Sequence, residues 1–396
     1  MESQNACETT DNGNDGCGFI NEAYLEHLLG DKKYAQDTLS IQIRFVSPRL
    51  GIFKGMLMRK RHTGGSPIEL QPSMKKVLSS PTNGSSLVAC LVITQAGRHP
   101  TPINSYIGRM LNPNLKDPPE KSFEALIKPL NKKPLADNVD MIPRLFQGVG
   151  VPRNLCDSYV IESKRKSRLC HAYVVGVADP TNSLPPGHVF VPGFASVSTP
   201  NNKLFVTRSP SVKAPDPKMV PMVTSKPPAM SQEDWDLLLA LPFGAVIFAN
   251  PKKGTHPLPA QIASGDLDGD LYFIFWSSEL LQHITTDPLE EVFLEEEGEE
   301  EKIGTRVHSC DNWLTEAQNM MIDLTAVQEL WALTGQLYRL SQKAADNSRF
   351  FMRDRDAVAF GNAFNKSLEY QKHGGKIQLP AHLHCQVKPG LQKYLC

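Results

Sequence analysis

The chain has 396 residues, of which 40% are hydrophobic, and its 42 basic residues are balanced by 42 acidic ones. This composition excludes an intrinsically disordered chain, and the balanced charge gives no general attraction to nucleic acid. The eight cysteines include no CxxC pair, which argues against a zinc site or a disulfide framework and favours a reducing compartment.

The sequence also argues against a membrane protein. No apolar run approaches the roughly 20 residues that span a bilayer. The polar N-terminus, "MESQNACETTDNGNDG", lacks the apolar centre of a signal peptide. We therefore expect a soluble protein of the cytoplasm or the nucleus, without a membrane partner.

The first part of the chain predicts a disordered N-terminus at residues 1–14, followed by a helix and several strands. "FINEAYLEHLLG" has helical spacing and ends at Gly30, and "LSIQIRFV" alternates as a strand does. The segments "GIFKGMLM", "SPIELQP" and "LVACLVI" predict further short strands. From about residue 100 to 154 the pattern weakens, with one predicted helix near 123–130.

The second part predicts another β-rich region and then helices. The strand-like segments are "CHAYVVGVA", "GHVFV", "KLFVTR", "FGAVIFA" and "LYFIFW". The acidic run "LEEVFLEEEGEEEK" predicts a solvated linker. Two helices follow, "LTAVQELWALTGQLYRLSQKA" and "AFGNAFNKSLEYQKHGG". The predicted apolar face of the first carries Leu324, Val327, Trp331 and Leu337.

The stretch "SGDLDGDLYFIFW" places Asp266, Asp268 and Asp270 within five residues, just before an apolar strand. Three carboxylates this close repel one another, so their clustering is unusual. A calcium loop of the EF-hand kind requires glycine at position six and an acidic residue at position twelve. Counted from Asp266, these positions are Leu271 and Ser277, so a calcium loop is excluded.

Three further interpretations remain for the aspartates. An aspartyl phosphotransferase has a D-x-D-G-T pattern, but Asp270 stands at the threonine position and the apolar strand follows the motif instead of preceding it. A polar turn would account for two aspartates more easily than for three. A magnesium site for phosphoryl chemistry fits better, because Mg²⁺ prefers carboxylate oxygens and Gly269 permits the chain to curl.

The same stretch resembles the D-x-D-G-D signature of the cellular, gene-silencing type of eukaryotic RNA-dependent RNA polymerases. Earlier segments resemble that family in the same order: "DGCGFI", "IQIRFVSPRLGIFKGML" and "LQPSMKKV". Later segments do so too: "HAYVVGVADPTNSLPPGHVFV", "LFVTRSPSVKAPD" and "AFNKSLEYQKHGGKIQLP". The resemblance runs from about residue 15 to 380. It covers the catalytic core, so the N-terminal region common in the family is expected to be missing or to belong to another polypeptide.

The resemblance implies an α+β fold in which two double-psi β-barrels form the active-site cleft, with a helical connector and a C-terminal helical layer. The expected domains are a disordered N-terminus (1–14), the first barrel region (15–95), a connector (96–164), the second barrel with the metal loop (165–285), an acidic linker (286–305) and a helical region (306–396).

The resemblance further implies Mg²⁺-dependent nucleotidyl transfer to an RNA 3′-hydroxyl on a single-stranded RNA template, producing double-stranded RNA for RNA silencing. The metal ligands would be Asp266, Asp268 and Asp270, with Mn²⁺ as a substitute for Mg²⁺. Ribonucleoside triphosphates would be the other substrates, and proteins of the silencing pathway would be partners. Two alternatives are a catalytically weak or inactive RNA-binding relative and a two-barrel RNA polymerase that reads DNA.

The family places basic residues of the first barrel opposite the metal loop. By position these are Lys54 and Lys76 as catalytic residues, with Lys75 as the alternative to Lys76. Arg44 and Arg208 are candidates for holding the template or the triphosphate. For each of the five, an ordinary solvent-exposed side chain is the competing interpretation.

The chain departs from the family pattern just before the aspartates. In "PLPAQIASG", Leu258 stands where the family has a histidine, and Gln261 stands where it has a glutamate. "KAPD" lacks the histidine and glycine of the family's "H-P-G-D", but Asp216 is retained. The metal ligands are not touched by these departures.

Overall fold

The computed structural model describes two β-rich segments and a C-terminal helical segment. The described residues are 6–8, 13–30, 32–47, 50–61, 65–77, 90–95, 151–152, 154–156, 158, 171–195, 197–208, 211–286, 289, 324–373 and 376–396. The chain divides into two compact units. The first comprises Met1–Val139, Asp157–Ser211 and Pro215–Leu294, and the second comprises Asp140–Cys156, Val212–Ala214 and Glu295–Cys396.

The first unit contains two sheets. The strands of the first sheet are β1 (Ala6–Glu8), β2 (Cys17–Asn21), β3 (Ser40–Ser47), β4 (Gly51–Lys60), β5 (Ile68–Leu70), β6 (Lys75–Val77) and β7 (Cys90–Gln95). Their order is β1-β5-β2-β4-β3-β7, and β6 pairs with β4 outside this path. The pairs β1–β5 and β2–β4 are parallel, and the other pairs are antiparallel.

Buried and partly buried side chains alternate along strand β3. Ile41, Ile43 and Phe45 are buried, whereas Gln42 and Arg44 between them are only partly buried. Because successive side chains of a strand point to opposite faces, Gln42 and Arg44 share the face opposite the isoleucines.

Helices α1 (Glu22–Leu29) and α2 (Lys32–Gln36) connect β2 to β3. The side-chain oxygen of Asn21 accepts hydrogen bonds from the backbone N–H groups of Ala23 and Tyr24, which caps the start of α1. The helix ends at Gly30, as predicted, and buries Leu25.

The strands of the second sheet are β8 (His171–Ala178), β9 (Val189–Phe190), β10 (Lys203–Arg208), β11 (Lys218–Pro221), β12 (Ala245–Phe248) and β13 (Leu271–Phe275). Their order is β11-β10-β13-β8-β12-β9, with only the β8–β12 pair parallel. Strand β13 therefore lies between β10 and β8, and four of its five residues are buried. The aspartates precede a strand that is held on both sides. Helices α3 (Gln232–Ala240) and α4 (Ser278–Leu281) belong to the same segment.

The two sheets share one hydrophobic core. Cys17 and Met56 of the first sheet belong to the same buried cluster as Val177, Phe248 and Tyr272 of the second. Full burial of a large apolar side chain stabilises a fold by about 1.5–3 kcal/mol, so this cluster ties the sheets together strongly. The thiol of Cys17 accepts a hydrogen bond from the backbone N–H of Ala178, and burial raises the pKa of this thiol to about 12.

The second unit contains α5 (Leu324–Asn347), α6 (Arg355–His373) and α7 (Ala381–His384). Its core includes Leu333 and Leu337 of α5 and Phe360 and Phe364 of α6. The predicted face of α5 is partly wrong, since Trp331 is 69% exposed. Trp331 lies two positions before the buried Leu333, which places it roughly 200° around the helix.

Ala6–Glu8, within the segment predicted to be disordered, forms β1 and pairs in parallel with β5. Residues 1–5 and 9–12 of that segment lie outside the described residues. Most of the predicted connector (96–164) and of the acidic linker (286–305) lies outside the described residues. Among the described helices, none is long and apolar enough to cross a membrane.

Candidate active site

The aspartate loop, residues 264–270, leads directly into β13. Asp266, Asp268 and Asp270 are partly buried, and each offers a carboxylate oxygen within 4.8 Å of those of the other two. Gly269 has a φ of +130°, a conformation that side chains strongly disfavour, and this curls the loop. The backbone N–H of Asp266 donates to Oδ2 of Asp270 (3.1 Å), which closes the curl. The loop thus gathers all three carboxylates on one side.

Tyr272 supports the loop from the core. Its buried hydroxyl donates to the carbonyl oxygen of Asp266 (2.9 Å), and its ring lies 4.9 Å from that of Phe248. Burial, together with the charges of Asp270 and Asp266, raises the pKa of Tyr272 well above its ordinary value. The hydroxyl therefore stays protonated and keeps donating.

The carboxylates carry a strong mutual repulsion. Burial, followed by the charges of Asp270 and Asp268, raises the pKa of Asp266 to about 8. Near neutral pH the cluster therefore tends to retain a proton. A divalent cation would favour the charged form of Asp266 again, because it neutralises the neighbouring charges and accepts carboxylate oxygens as ligands. The donor set fits such an ion.

Two predicted basic residues contact the aspartate loop. Nζ of Lys54, on β4, lies 2.5 Å from Oδ2 of Asp268. Nε of Arg208, at the end of β10, lies 2.5 Å from Oδ2 of Asp270, and its Nη2 donates to Oδ1 (3.1 Å). Burial by itself would lower the pKa of Arg208, but the charge and the hydrogen bond of Asp270 outweigh it and raise that pKa.

The other three predicted basic residues have different contacts in the described part of the chain. Nζ of Lys75 lies 5.4 Å from the ring centroid of Phe53. Lys76 is exposed, and its Nζ donates to the carbonyl oxygen of Ser73 (3.0 Å). Nη1 of Arg44 donates to the carbonyl oxygen of Ile43 in its own strand (2.9 Å).

Sequence reasoning missed two groups that hold the aspartate loop, one on β3 and one just before β2. Nε2 of Gln42 donates to the carbonyl oxygen of Asp268 (2.9 Å), and the carbonyl oxygen of Asp15 accepts from the N–H of Leu267 (2.8 Å). A signal existed for Gln42, because it lies on the same strand face as Arg44. Asp15 begins the "DGCGFI" segment, whose resemblance to the family carried no expected role at the site.

One departure from the family pattern, Leu258, lies in the segment before the loop. Leu258, which stands in place of a histidine, is 5% exposed and belongs to the hydrophobic core. Ala263 and Ser264 have positive φ values of 54° and 50°, and Nη1 of Arg208 donates to the carbonyl oxygen of Ala263 (3.3 Å). Gln261 is partly buried. Position 258 therefore serves packing in this chain.

Comparison with known proteins identifies the family of this chain. A family model described as RNA-dependent RNA polymerase matches residues 157–393, more than half of the chain. This chain belongs to the RNA-dependent RNA polymerase family. The resemblance to this family that the sequence motifs indicated is thereby confirmed.

Curated members of the family match at low identity. RNA-dependent RNA polymerase 1 of Arabidopsis thaliana is 23% identical over 247 residues, which are 60% of this chain and 20% of that protein. Probable RNA-dependent RNA polymerase 1 of Oryza sativa subsp. japonica is 23% identical over 248 residues, covering 60% of this chain and 30% of the relative. The matched part is thus well under half of each relative's length.

A solved structure shows the fold. The RNA-dependent RNA polymerase QDE-1 from Thielavia terrestris superimposes with a TM-score of 0.54 and 18% sequence identity, covering 94% of this chain and 47% of that one. The expected α+β fold with two double-psi β-barrels is confirmed by this likeness. The aspartate loop lies in the second of the two β-rich regions, at the start of β13.

Proposed function

We propose that this chain is the catalytic core of an RNA-directed RNA polymerase, which extends an RNA 3′-hydroxyl on a single-stranded RNA template. One observation carries the proposal: three clustered carboxylates face Lys54 and Arg208 in a chain of this family. Such chemistry consists mainly of positioning and of stabilising charge, and carboxylates combined with cations supply both. We propose residues 15–95 and 165–285 as the two barrel domains.

The aspartates are the proposed ligands of Mg²⁺, with Mn²⁺ as a substitute. Their oxygens are hard donors within one ion's reach of each other, and burial together with their crowding raises the pKa of Asp266. When bound, the metal ions would lower the pKa of the attacking hydroxyl and stabilise the charge on the leaving pyrophosphate.

The basic residues have separate proposed roles. Lys54 is 32% exposed, so its ammonium can reach a phosphate beside the aspartates while it stays near Asp268. Arg208 orients the carboxylate of Asp270 through its planar fork. Lys76, Lys75 and Arg44 remain candidates for catalysis and for binding the triphosphate or the template.

The biological setting is also a proposal. Ribonucleoside triphosphates and single-stranded RNA are the proposed substrates, and double-stranded RNA for silencing is the proposed product. The names of the plant relatives support this class of reaction. Partners from the silencing pathway, and a location in the cytoplasm or the nucleus, follow from the same role.

The decisive test is ribonucleotide incorporation on single-stranded RNA with Mg²⁺, comparing the wild type with Asp268→Ala. We expect the substitution to abolish incorporation without unfolding the protein, because it relieves repulsion in the cluster. Asp236→Ala on the exposed face of α3 is the matched control and should retain activity. Equal incorporation by the wild type and Asp268→Ala would contradict the proposal.

Two other outcomes would identify the alternatives. RNA binding in a filter assay without metal-dependent synthesis would indicate an inactive RNA-binding relative, and the unusual Leu258 and Gln261 are what favour it. Preferential use of DNA in a competition between DNA and RNA templates would indicate a DNA-templated enzyme.

A further inference from the structure

Gln42 connects the first sheet to the middle of the aspartate loop. Its side-chain amide donates to the carbonyl oxygen of Asp268 at 2.9 Å, across 226 positions of the chain. The backbone of Gln42 is itself fixed, since it pairs with Met56 in the neighbouring strand β4. The amide therefore reaches the loop from a rigid base.

The bonded carbonyl belongs to the peptide between Asp268 and Gly269. Rotation about ψ of Asp268 or φ of Gly269, when the other angle does not compensate for it, would move this carbonyl and change the relative directions of the carboxylates of Asp268 and Asp270. A hydrogen bond to this carbonyl opposes that rotation. Gln42 is thus placed to control the spacing of two of the three carboxylates.

The fit between Gln42 and the loop is close. A Cβ atom at position 269 would overlap Nε2 of Gln42, so the amide fills the space that a side chain there would need. On the other side, a Cβ at Gly16 would lie 2.7 Å from Cβ of Asp268, and the carbonyl of Asp15 binds the N–H of Leu267. Gln42 on β3 and the turn before β2 therefore both hold the loop.

The two supports differ in chemistry. Asp15 uses its backbone carbonyl, which any residue could supply, whereas Gln42 uses a side chain that few residues could replace. Asparagine is one methylene shorter. Glutamate has the same shape, but its ionised carboxylate cannot donate to a carbonyl and would add a fourth negative charge near the cluster.

We propose that Gln42 is a positioning residue, which sets the divalent-cation affinity of the aspartate loop by holding the peptide between Asp268 and Gly269. The proposal rests on the proposed function for its catalytic consequence, but its effect on metal affinity is independent of turnover. Partners that orient metal ligands typically change affinity or activity by about 10–100-fold when removed.

The test is Mn²⁺ binding to the full chain, measured by electron paramagnetic resonance without RNA or nucleotides. Gln42→Met retains the length of the side chain and removes the amide. We expect this variant to bind Mn²⁺ about tenfold more weakly than the wild type. Gln42→Leu serves as the second variant if the first folds poorly, since it also removes the amide without adding a charge, and it should weaken Mn²⁺ binding by a similar factor.

The matched control is Gln232→Leu, which removes an amide that donates to Asp236 on α3. It should leave Mn²⁺ affinity unchanged. Melting temperatures of all variants distinguish loss of fold from loss of positioning. A folded Gln42→Met or Gln42→Leu protein with wild-type Mn²⁺ affinity would overturn the proposal, as would a wild type that does not bind Mn²⁺.

Kinetics distinguish the positioning role from the proposed function. If the wild type synthesises RNA, Gln42→Met should lower kcat with little change in the KM for ribonucleotides, because the metal ligands and not the substrate contacts are disturbed. If the wild type binds Mn²⁺ but incorporates nothing, the proposed function fails. Weaker Mn²⁺ binding by Gln42→Met would still support the positioning role in that case.

Discussion

The first and second sheets each place one cation on the aspartate loop, and the two cations are held in different ways. Lys54, from the first sheet, makes one ion pair with Asp268 and keeps 32% of its side chain exposed. Arg208, from the second sheet, contacts the carboxylate of Asp270 through two nitrogens and also donates a hydrogen bond to the carbonyl oxygen of Ala263. Arg208 therefore belongs to the scaffold of the loop, whereas Lys54 is the more exposed of the two cations.

The difference extends to the surroundings of each cation. The second sheet supports the loop through buried groups: the hydroxyl of Tyr272 donates to the carbonyl oxygen of Asp266, and the ring of Phe248 packs against that of Tyr272. The first sheet approaches it with partly exposed polar side chains, Gln42 and Lys54. We expect substitutions on the second-sheet side to lower stability, and those on the first-sheet side to lower activity.

Lys54→Met should show the largest effect. It removes the exposed cation beside the aspartates, and we expect ribonucleotide incorporation to fall about 100-fold or more. Stability should change by less than about 1 kcal/mol, because the ion pair is solvent-accessible. Lys60→Met is the matched control, since Lys60 lies on the same strand, pairs with Glu69 and is 29% exposed. Equal losses in both variants would show that the effect does not depend on the position of Lys54 beside the aspartates.

Arg208→Lys tests the scaffold role. Lysine keeps the charge but cannot form the planar fork on Asp270, so we expect a loss of about 1–3 kcal/mol in the free energy of unfolding. Urea denaturation measures this loss, and incorporation should fall with it by about tenfold. A fully stable but inactive Arg208→Lys protein would instead place Arg208 among the residues that bind substrate.

His171→Phe tests whether the burial of His171 in the second sheet makes the stability of the protein depend on pH. The ring of His171 lies 5.5 Å from that of Phe273, and burial lowers its pKa from 6.5 to about 4. The unfolded chain therefore binds more protons between these values, so stability is highest above pH 6.5 and is lost as pH falls toward 4. When the pH is lowered from about 7 to about 5, this group should reduce the free energy of unfolding by about 1–2 kcal/mol.

In His171→Phe that part of the pH dependence should disappear, while other titrating groups leave their own contribution. Thermal or urea unfolding at about pH 5 and about pH 7 gives the comparison. A pH profile identical to that of the wild type would show that burial does not lower the pKa of His171.

Tyr272→Phe should show the smallest effect. It removes the hydrogen bond to the carbonyl of Asp266 but keeps the ring in the core, and we expect a loss of about 1 kcal/mol. Incorporation by the folded variant should fall less than in Lys54→Met. A loss of activity as large as that of Lys54→Met would show that the buried side controls catalysis as strongly as the exposed side.

Local patterns predicted much of the site and the elements around it. Three aspartates before an apolar strand indicated a carboxylate loop, and the alternation of "LSIQIRFV" indicated the strand β3. The order β11-β10-β13-β8-β12-β9 was not predictable from one sequence, because strand pairing joins segments far apart in the chain. Trp331 was misplaced because helical spacing allows more than one apolar stripe.

The sequence by itself determined the chemistry of the loop: which carboxylates cluster, that glycine permits their curl, and that a buried strand follows. These properties depend on neighbours within a few residues. Only the tertiary structure decided which of the five basic residues meet the aspartates, and that Gln42 holds the peptide after Asp268. Such contacts join residues 62 or even 226 positions apart, so they follow from the pairing of β10 with β13 and from the core that the two sheets share.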